Sequence, residues 1–257
     1  MADLFALDGK VALVTGGSRG IGAMIARGFV EAGVRTYISS RKAAPCDAMA
    51  AELSEIGWCQ SLPADLSTEG GCRELAAAIS EREDKLDILV NNAGATWGAP
   101  IAEFDDAAWE KVLSINVKGV FHMTKALLPL LDAAGSPEEP ARVINIGSID
   151  GIHVPILETY SYSASKAAVH QLTRHLARRL APSITVNAIA PGPFESKMMA
   201  ATLDAVGEQI AASAPLKRIG RPDDMAGTAI FLASRAGSYV TGSIIAVDGG
   251  IATVGTN

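Results

Sequence analysis

Cysteine is scarce in this 257-residue chain: Cys46, Cys59 and Cys72, odd in number and with no C-x-x-C pair. That spacing argues against a disulfide framework or a thiolate zinc site and leaves free thiols as the expectation. The four histidines, His122, His153, His170 and His175, make no H-E-x-x-H pattern, and His170 and His175 fall off a common helix face. No protein-ligated metal is therefore expected. Long apolar runs are missing too, none reaching the roughly 18 residues of a membrane helix. The start, "MADLFALDGK", has no basic region in front of an apolar one, so no signal peptide, no membrane partner and a cytoplasmic location are expected. Positive charge is in deficit, with 22 Lys and Arg against 28 Asp and Glu. A net charge of −6 argues against nucleic acid as a partner, because phosphate contacts need a basic surface.

Apolar residues are abundant, at 49 % against 19 % charged, enough for a sizeable core. Short β-branched runs alternate with helical patterns. "KVALVTGG" precedes "IGAMIARGFVEAG", whose Gly33 is a natural helix stop, and "VRTYISS" precedes a helix near 45–57. "CQSLPADL" leads to a helix near 68–83, "LDILVNNAG" to one over 106–131, "ARVINIGS" to one over 160–180, and a last helix over 222–234 precedes "SIIAVDGG". Val11–Val14, Ile88–Val90 and Val143–Ile146 are apolar without alternation, as strands are when a parallel sheet is covered on both faces. This predicts an α/β protein: one domain over 1–257, a Rossmann-type doubly wound parallel sheet of about seven strands. Ligands in such sheets sit beyond the carboxyl ends of the strands.

After the first strand, "TGGSRGIG" places Gly16, Gly20 and Gly22 in a G-x3-G-x-G turn that also carries Ser18, Arg19 and Ile21. Glycines let the backbone turn tightly and approach a pyrophosphate, and the next helix aims its N-terminal N–H groups at the phosphates. An enzyme selecting NAD usually carries an acid after the second strand. Here the chain reads Ser39, Ser40, Arg41, Lys42. Arg41, joined by Arg19, suits a 2′-phosphate, so NADP(H) is the expected cofactor.

Two tyrosines lie close together in "ETYSYSASKAA". Tyr162 has Lys166 one helical turn away, whereas Tyr160 has Ala164 there. A phenol near pKa 10 is a poor acid at neutrality, and a neighbouring ammonium is expected to lower that value. Tyr162 would then protonate a carbonyl oxygen as hydride reaches carbon. Ser148 ends the fifth strand, where its hydroxyl can bond the same oxygen. Asn116, a polar residue in an apolar helix, is either a satisfied core amide or part of a relay towards Lys166.

"TGGSRGIG", "NNAG" at 91–94, Asn116, Ser148 and "YSASK" at 162–166 together resemble the short-chain dehydrogenase/reductase family over nearly the whole chain. The resemblance implies catalysis by Ser148, Tyr162 and Lys166, extended by Asn116. It implies that Asp65 and Leu66 flank an adenine, that Asn92, Ala93 and Gly94 line the cofactor, and that Pro191, Gly192 and Phe194 touch its nicotinamide end. It also implies a homodimer or homotetramer built on the helices carrying Asn116 and Tyr162. Several stretches are similar to bacterial 3-oxoacyl reductases, which points to NADPH-dependent reduction of a 3-oxoacyl thioester. A sugar, steroid, cyclic ketone or other secondary alcohol is the alternative substrate, and a non-catalytic NADP-binding regulatory protein is the alternative of another class. Against a carrier-protein substrate stand Glu138 and Glu139, expected to repel an acidic carrier, although Arg174, Arg178 and Arg179 offer a basic patch. Specificity is expected from Ala95–Ile101, Asp150–Thr159 and a lid over 194–215 bearing Met198, Met199 and Leu203, with Trp97 and His153 as further pocket residues.

Overall fold

The computed structural model describes residues 3–196 and 199–254, with only the backbone of Ala201, Thr202 and Leu203. Seven parallel strands form one sheet in the order β3-β2-β1-β4-β5-β6-β7. The strands are β1 (Val11–Thr15), β2 (Arg35–Ser39), β3 (Cys59–Ser61), β4 (Ile88–Asn91), β5 (Ala141–Ile146), β6 (Ile184–Pro191) and β7 (Ile244–Val247). Chain order runs outwards from β1 to β3, then returns to β4 on the other side of β1. The crevice beyond the carboxyl ends of β1 and β4 is thus the topological switch point, where such sheets bind ligands.

The unbroken apolar strands are explained by their two faces. Ala12, Val14, Ile38 and Val90 enter one buried cluster, with Phe29 of α1 (Gly20–Glu31), Leu53 of α2 (Ala43–Ser54) and Leu232 of α8 (Pro222–Ala233). Val11, Leu13 and Leu89 enter the other, with Leu75 of α3 (Glu69–Ser80), Leu127 of α5 (Val120–Ala134) and Ala177 of α6 (Tyr160–Leu180). Alternate residues of each strand serve opposite helix layers, so both sets must be apolar. Among the described residues no helix is long and apolar enough to cross a membrane.

Two helix expectations need correction. The helix near 68–83 starts at Glu69, because the Thr68 hydroxyl accepts from Gly71 N at 3.1 Å and caps it. The helix over 106–131 is not uniform. It comprises α4 (Asp106–Leu113), a π-helical turn over Ser114–Gly119, and α5, which runs on to Ala134. The wide turn holds Asn116, and such turns are often found at functional sites. The remaining helix, α7 (Ala200–Ser213), is broken at Val206, whose φ of −141° is not helical.

Candidate active site

The glycine turn bridges β1 and α1. Gly16 and Gly20 have φ of +66° and +54°, in the left-handed region that side chains avoid. Gly22 is tight for another reason: a Cβ there would lie 2.3 Å from Gly16 O and 2.4 Å from Asn92 Nδ2. The turn is also stapled from below. Asn92 Nδ2 donates to Thr15 O at 2.9 Å and Gly16 O at 3.2 Å, while Asn92 N and Ala93 N donate to Thr15 Oγ1. This explains what "NNAG" does after β4: it locks the loop to the glycine turn across the switch point. Arg19 caps α1 with no side-chain hydrogen bond, so the first N–H groups of the helix are left for an anion. The residues present therefore make a cradle fitted to a pyrophosphate.

Arg19 and Arg41 are both exposed on this side of the cleft, Arg41 just beyond the end of β2. The Asp65 carboxylate accepts from Ser67 N at 3.0 Å and Ser67 Oγ at 2.7 Å, and these bonds hold its pKa below the usual range, with Arg41 adding a smaller pull. Leu66 and Phe194 stand beyond the ends of β3 and β6, where cofactor contacts are expected. Both side chains are in the core, and the Phe194 ring lies against Gly220. Each presents mainly its backbone to the cleft. Pro191 ends β6, and Gly192 N donates to Val247 O at 3.0 Å.

Across the cleft, α6 delivers Tyr162 and Lys166 towards the end of β5. Lys166 is buried, and its Nζ donates to Ile146 O at 2.7 Å and lies 5.5 Å from the Tyr162 ring centroid. Ser148 lies two residues beyond the last residue of β5, where its Oγ accepts from Asp150 N at 3.1 Å. Every serine of "YSASK" is committed as well. Ser163 Oγ donates to Asp150 O at 2.6 Å, and Ser165 Oγ donates to Tyr162 O at 2.7 Å while accepting from Asn116 Nδ2 at 2.9 Å. Asn116 also receives Ala95 N at 2.8 Å and donates to Ala95 O at 2.9 Å. The Asn116 side chain is a satisfied amide that ties the β4 loop to α6. Tyr160 is separate from this group, with its hydroxyl donating to Glu158 at 2.7 Å and its ring edge-on to Phe104.

The electrostatics correct one expectation. Burial pushes the Tyr162 phenol up to about 12; a Ser148 hydrogen bond opposes this and the Asp150 carboxylate adds to it. The neighbouring Lys166 does not overcome this, and burial depresses that ammonium itself to about 8. Asp150, whose own pKa burial raises, was expected only as the start of a specificity segment, yet it stands beside the catalytic group. Its backbone joins Ser148 to Ser163, and its charge acts on Tyr162 and Lys166. The only signal was position, two residues after the strand-end serine. His170, a turn beyond Lys166, is buried against Gly147 and Gly151 and is driven to about 4, chiefly by burial and then by Lys166.

The specificity segments are partly described. Trp97 is half-exposed under the Lys111 ammonium, 4.4 Å from its ring centroid. His153 Nε2 is 3.9 Å from Asp150 Oδ1. Met198 and the Leu203 side chain lie outside the described residues; Met199 precedes α7. Glu139 is not a bare charge, since it pairs with Lys10 at 2.7 Å. Cys46, Cys59 and Cys72 are free, and burial drives the last two up to about 12 and about 11. Among the described residues no cluster of His, Cys, Asp and Glu is arranged to hold a metal.

Comparison with known proteins gives this geometry a lineage. The family described as enoyl-(acyl carrier protein) reductase matches residues 16–252. The rhamnolipids biosynthesis 3-oxoacyl-[acyl-carrier-protein] reductase of Pseudomonas aeruginosa is 51 % identical over 97 % of this chain and 99 % of its own. The galactitol 2-dehydrogenase (L-tagatose-forming) of Cereibacter sphaeroides is 39 % identical over 96 % of each chain. Among solved structures, the Pseudomonas aeruginosa RhlG/NADP active-site complex superposes with a TM-score of 0.94 at 51 % identity, covering 97 % of this chain and 99 % of that one. With the cradle, the strand-end serine and the Tyr162–Lys166 pair in one cleft, the chain belongs to the short-chain dehydrogenase/reductase family and is an oxidoreductase.

Proposed function

We propose that this chain reduces a ketone to an alcohol with NADPH, and that the ketone belongs to a 3-oxoacyl thioester. The observation that carries the reading is the placement of Ser148, Tyr162 and Lys166 beyond β5, facing a glycine cradle beyond β1. The residues that would hold the cofactor are Gly16, Ser18, Arg19, Gly20, Ile21 and Gly22 at the pyrophosphate, and Arg19 with Arg41 at the 2′-phosphate. Asp65 and the Leu66 backbone serve the adenine; Asn92, Ala93, Gly94, Tyr162 and Lys166 serve the ribose; Pro191, Gly192 and the Phe194 backbone serve the nicotinamide. Arg41 in place of an acid after β2 selects NADP(H) over NAD(H). The Pseudomonas aeruginosa relative, a 3-oxoacyl reductase whose solved structure is an NADP active-site complex, supports both parts of the reading.

Bound NADPH supplies the hydride. The protein supplies the proton and the geometry. Ser148 Oγ accepts from Asp150 N, which leaves its own proton to donate, to Tyr162 and, when a ketone is bound, to the substrate oxygen. Tyr162, held protonated by burial and by Asp150, donates its phenolic proton as the alkoxide forms. Lys166, fixed by Ile146 O, offers its remaining N–H groups to the cofactor ribose and keeps a positive charge behind the phenol. Asn116 positions the helix that carries both. The segment over 194–215 acts as a lid. Its base is pinned where Phe194 pairs with Gly220 and Gly220 N donates to Pro193 O at 2.9 Å, and α7 is broken at Val206. The helices α5 and α6 build a homodimer or homotetramer, a role supported by the exposed Phe121 on α5.

The test follows NADPH absorbance with acetoacetyl-CoA, with crotonyl-CoA, and with galactitol in the oxidative direction. Acetoacetyl-CoA should be reduced, with kcat/KM at least tenfold higher for NADPH than for NADH. Turnover of galactitol or crotonyl-CoA without turnover of acetoacetyl-CoA contradicts the substrate, and equal use of NADH contradicts the cofactor.

A further inference from the structure

The stretch between the two catalytic hydroxyls is unusual for a protein surface. Ile152, Val154, Ile156 and Leu157 follow Ser148 and precede Tyr162, and all are exposed: Val154 by 89 %, Ile156 by 102 % and Leu157 by 56 %. A second apolar segment lies against this one. Ala99 N donates to Glu158 O at 3.2 Å, and Gly98 sits against Thr159. This contact brings up Trp97, 41 % exposed, and Ile101, 73 % exposed. Isolated exposed aliphatics need no explanation, but several from two segments at one cleft mark a binding surface.

The place and the charge of this rim select its occupant. It begins one short turn beyond Ser148 and ends at the helix carrying Tyr162, so a carbonyl held by those two hydroxyls has the rim beside it. In a 3-oxoacyl thioester two arms leave that carbonyl carbon. One passes through a methylene to the thioester and its polar carrier; the other is a hydrocarbon tail that gains from leaving water. The rim also carries little that would draw an acidic carrier. Its exposed charged neighbours are Glu103, Asp105, Asp106 and Glu158, while Lys111 lies over the Trp97 ring. We infer that Ile101, Ile152, Val154, Ile156 and Leu157 form the subsite for the acyl tail of the substrate and make the enzyme selective for medium and long chains. The inference rests on the 3-oxoacyl reading above and goes beyond it by naming the chain length and the residues that read it.

The experiment compares kcat/KM for 3-oxoacyl-CoA substrates of four and ten carbons in the wild type and in the double variant Val154→Ser, Ile156→Ser. Both side chains meet solvent, so serine should leave the thermal midpoint unchanged. Each buried methylene is worth roughly two- to fourfold in binding. The wild type should therefore favour the ten-carbon substrate by about thirtyfold or more. The variant should lose at least about tenfold on that substrate and less than about twofold on the four-carbon one. A wild-type profile flat in chain length overturns the subsite without recourse to any variant, and leaves the 3-oxoacyl reading intact if the four-carbon substrate turns over. An equal loss on both substrates overturns it too, as does a change of solution mass in the variant, which would make the rim a contact between copies of this chain. No turnover of either thioester refutes the parent reading, and the subsite with it.

Discussion

At the floor of the cleft the side chains of Asn116, Ser163 and Ser165 are each held by protein partners at 2.6–2.9 Å, whereas at its mouth Val154 and Ile156 face solvent over nearly their whole surface. Asn116 apart, the two sets lie within a dozen residues of each other in sequence, between Ser148 and the start of the helix that carries Tyr162 and Lys166. At the floor, a buried polar atom without a partner would cost about 1–3 kcal/mol, so each side chain is tied in one geometry. This fixes the reacting hydroxyls before any substrate arrives. At the mouth the backbone is held but the aliphatic side chains are not, and apolar surface is left for a ligand to cover. Chemistry is thus set by hydrogen bonds inside the protein, and selectivity by surface that only the substrate completes.

The sharpest way to break that comparison is to empty the floor of its charge. Lys166→Met should lower kcat by about a hundredfold or more, since it removes the cation behind the phenol and the ribose donor. The same change should raise the thermal midpoint by a few degrees. The ammonium is charged at neutral pH in both folded and unfolded chains, and its folded pKa, depressed to about 8, records the cost of burying it. A variant that loses activity and stability together would contradict this account of Lys166. A smaller effect is expected at Asp150. Its carboxylate raises the Tyr162 pKa, and alcohol oxidation needs the phenolate, so oxidation should climb as pH rises towards that pKa. Asp150→Asn takes away the charge, so the rise should begin at lower pH, measured as kcat/KM for oxidation of a 3-hydroxyacyl-CoA. An unshifted profile would show that Asp150 serves Ser148 and Ser163 through its backbone alone.

The same contrast separates what was legible in the sequence from what was not. The parallel sheet, the glycine turn and the Tyr162–Lys166 spacing are local patterns, and the structure places them as the pattern implies. Which side chains face the cleft is a tertiary matter. Leu66 and Phe194 sit at the expected positions in the chain yet turn their side chains into the core. The upward pull on Tyr162 was not legible because spacing shows a neighbouring lysine but not the desolvation that acts on both groups. Asp150 reads in the sequence only as part of a specificity segment, because an acid in a loop is ordinarily solvated and only the fold brings its charge to the phenol. The π turn at Asn116 had no sequence signal, since its residues suit an α-helix equally well.

The central claim is that a fixed Tyr162 gives its proton to a ketone. It is tested most directly by Tyr162→Phe, assayed by NADPH oxidation with acetoacetyl-CoA alongside a fluorescence titration of NADPH binding. The account predicts a fall in kcat of about a thousandfold or more with the NADPH dissociation constant within about threefold of the wild type. A Tyr162→Phe enzyme that keeps a tenth or more of wild-type kcat would contradict it.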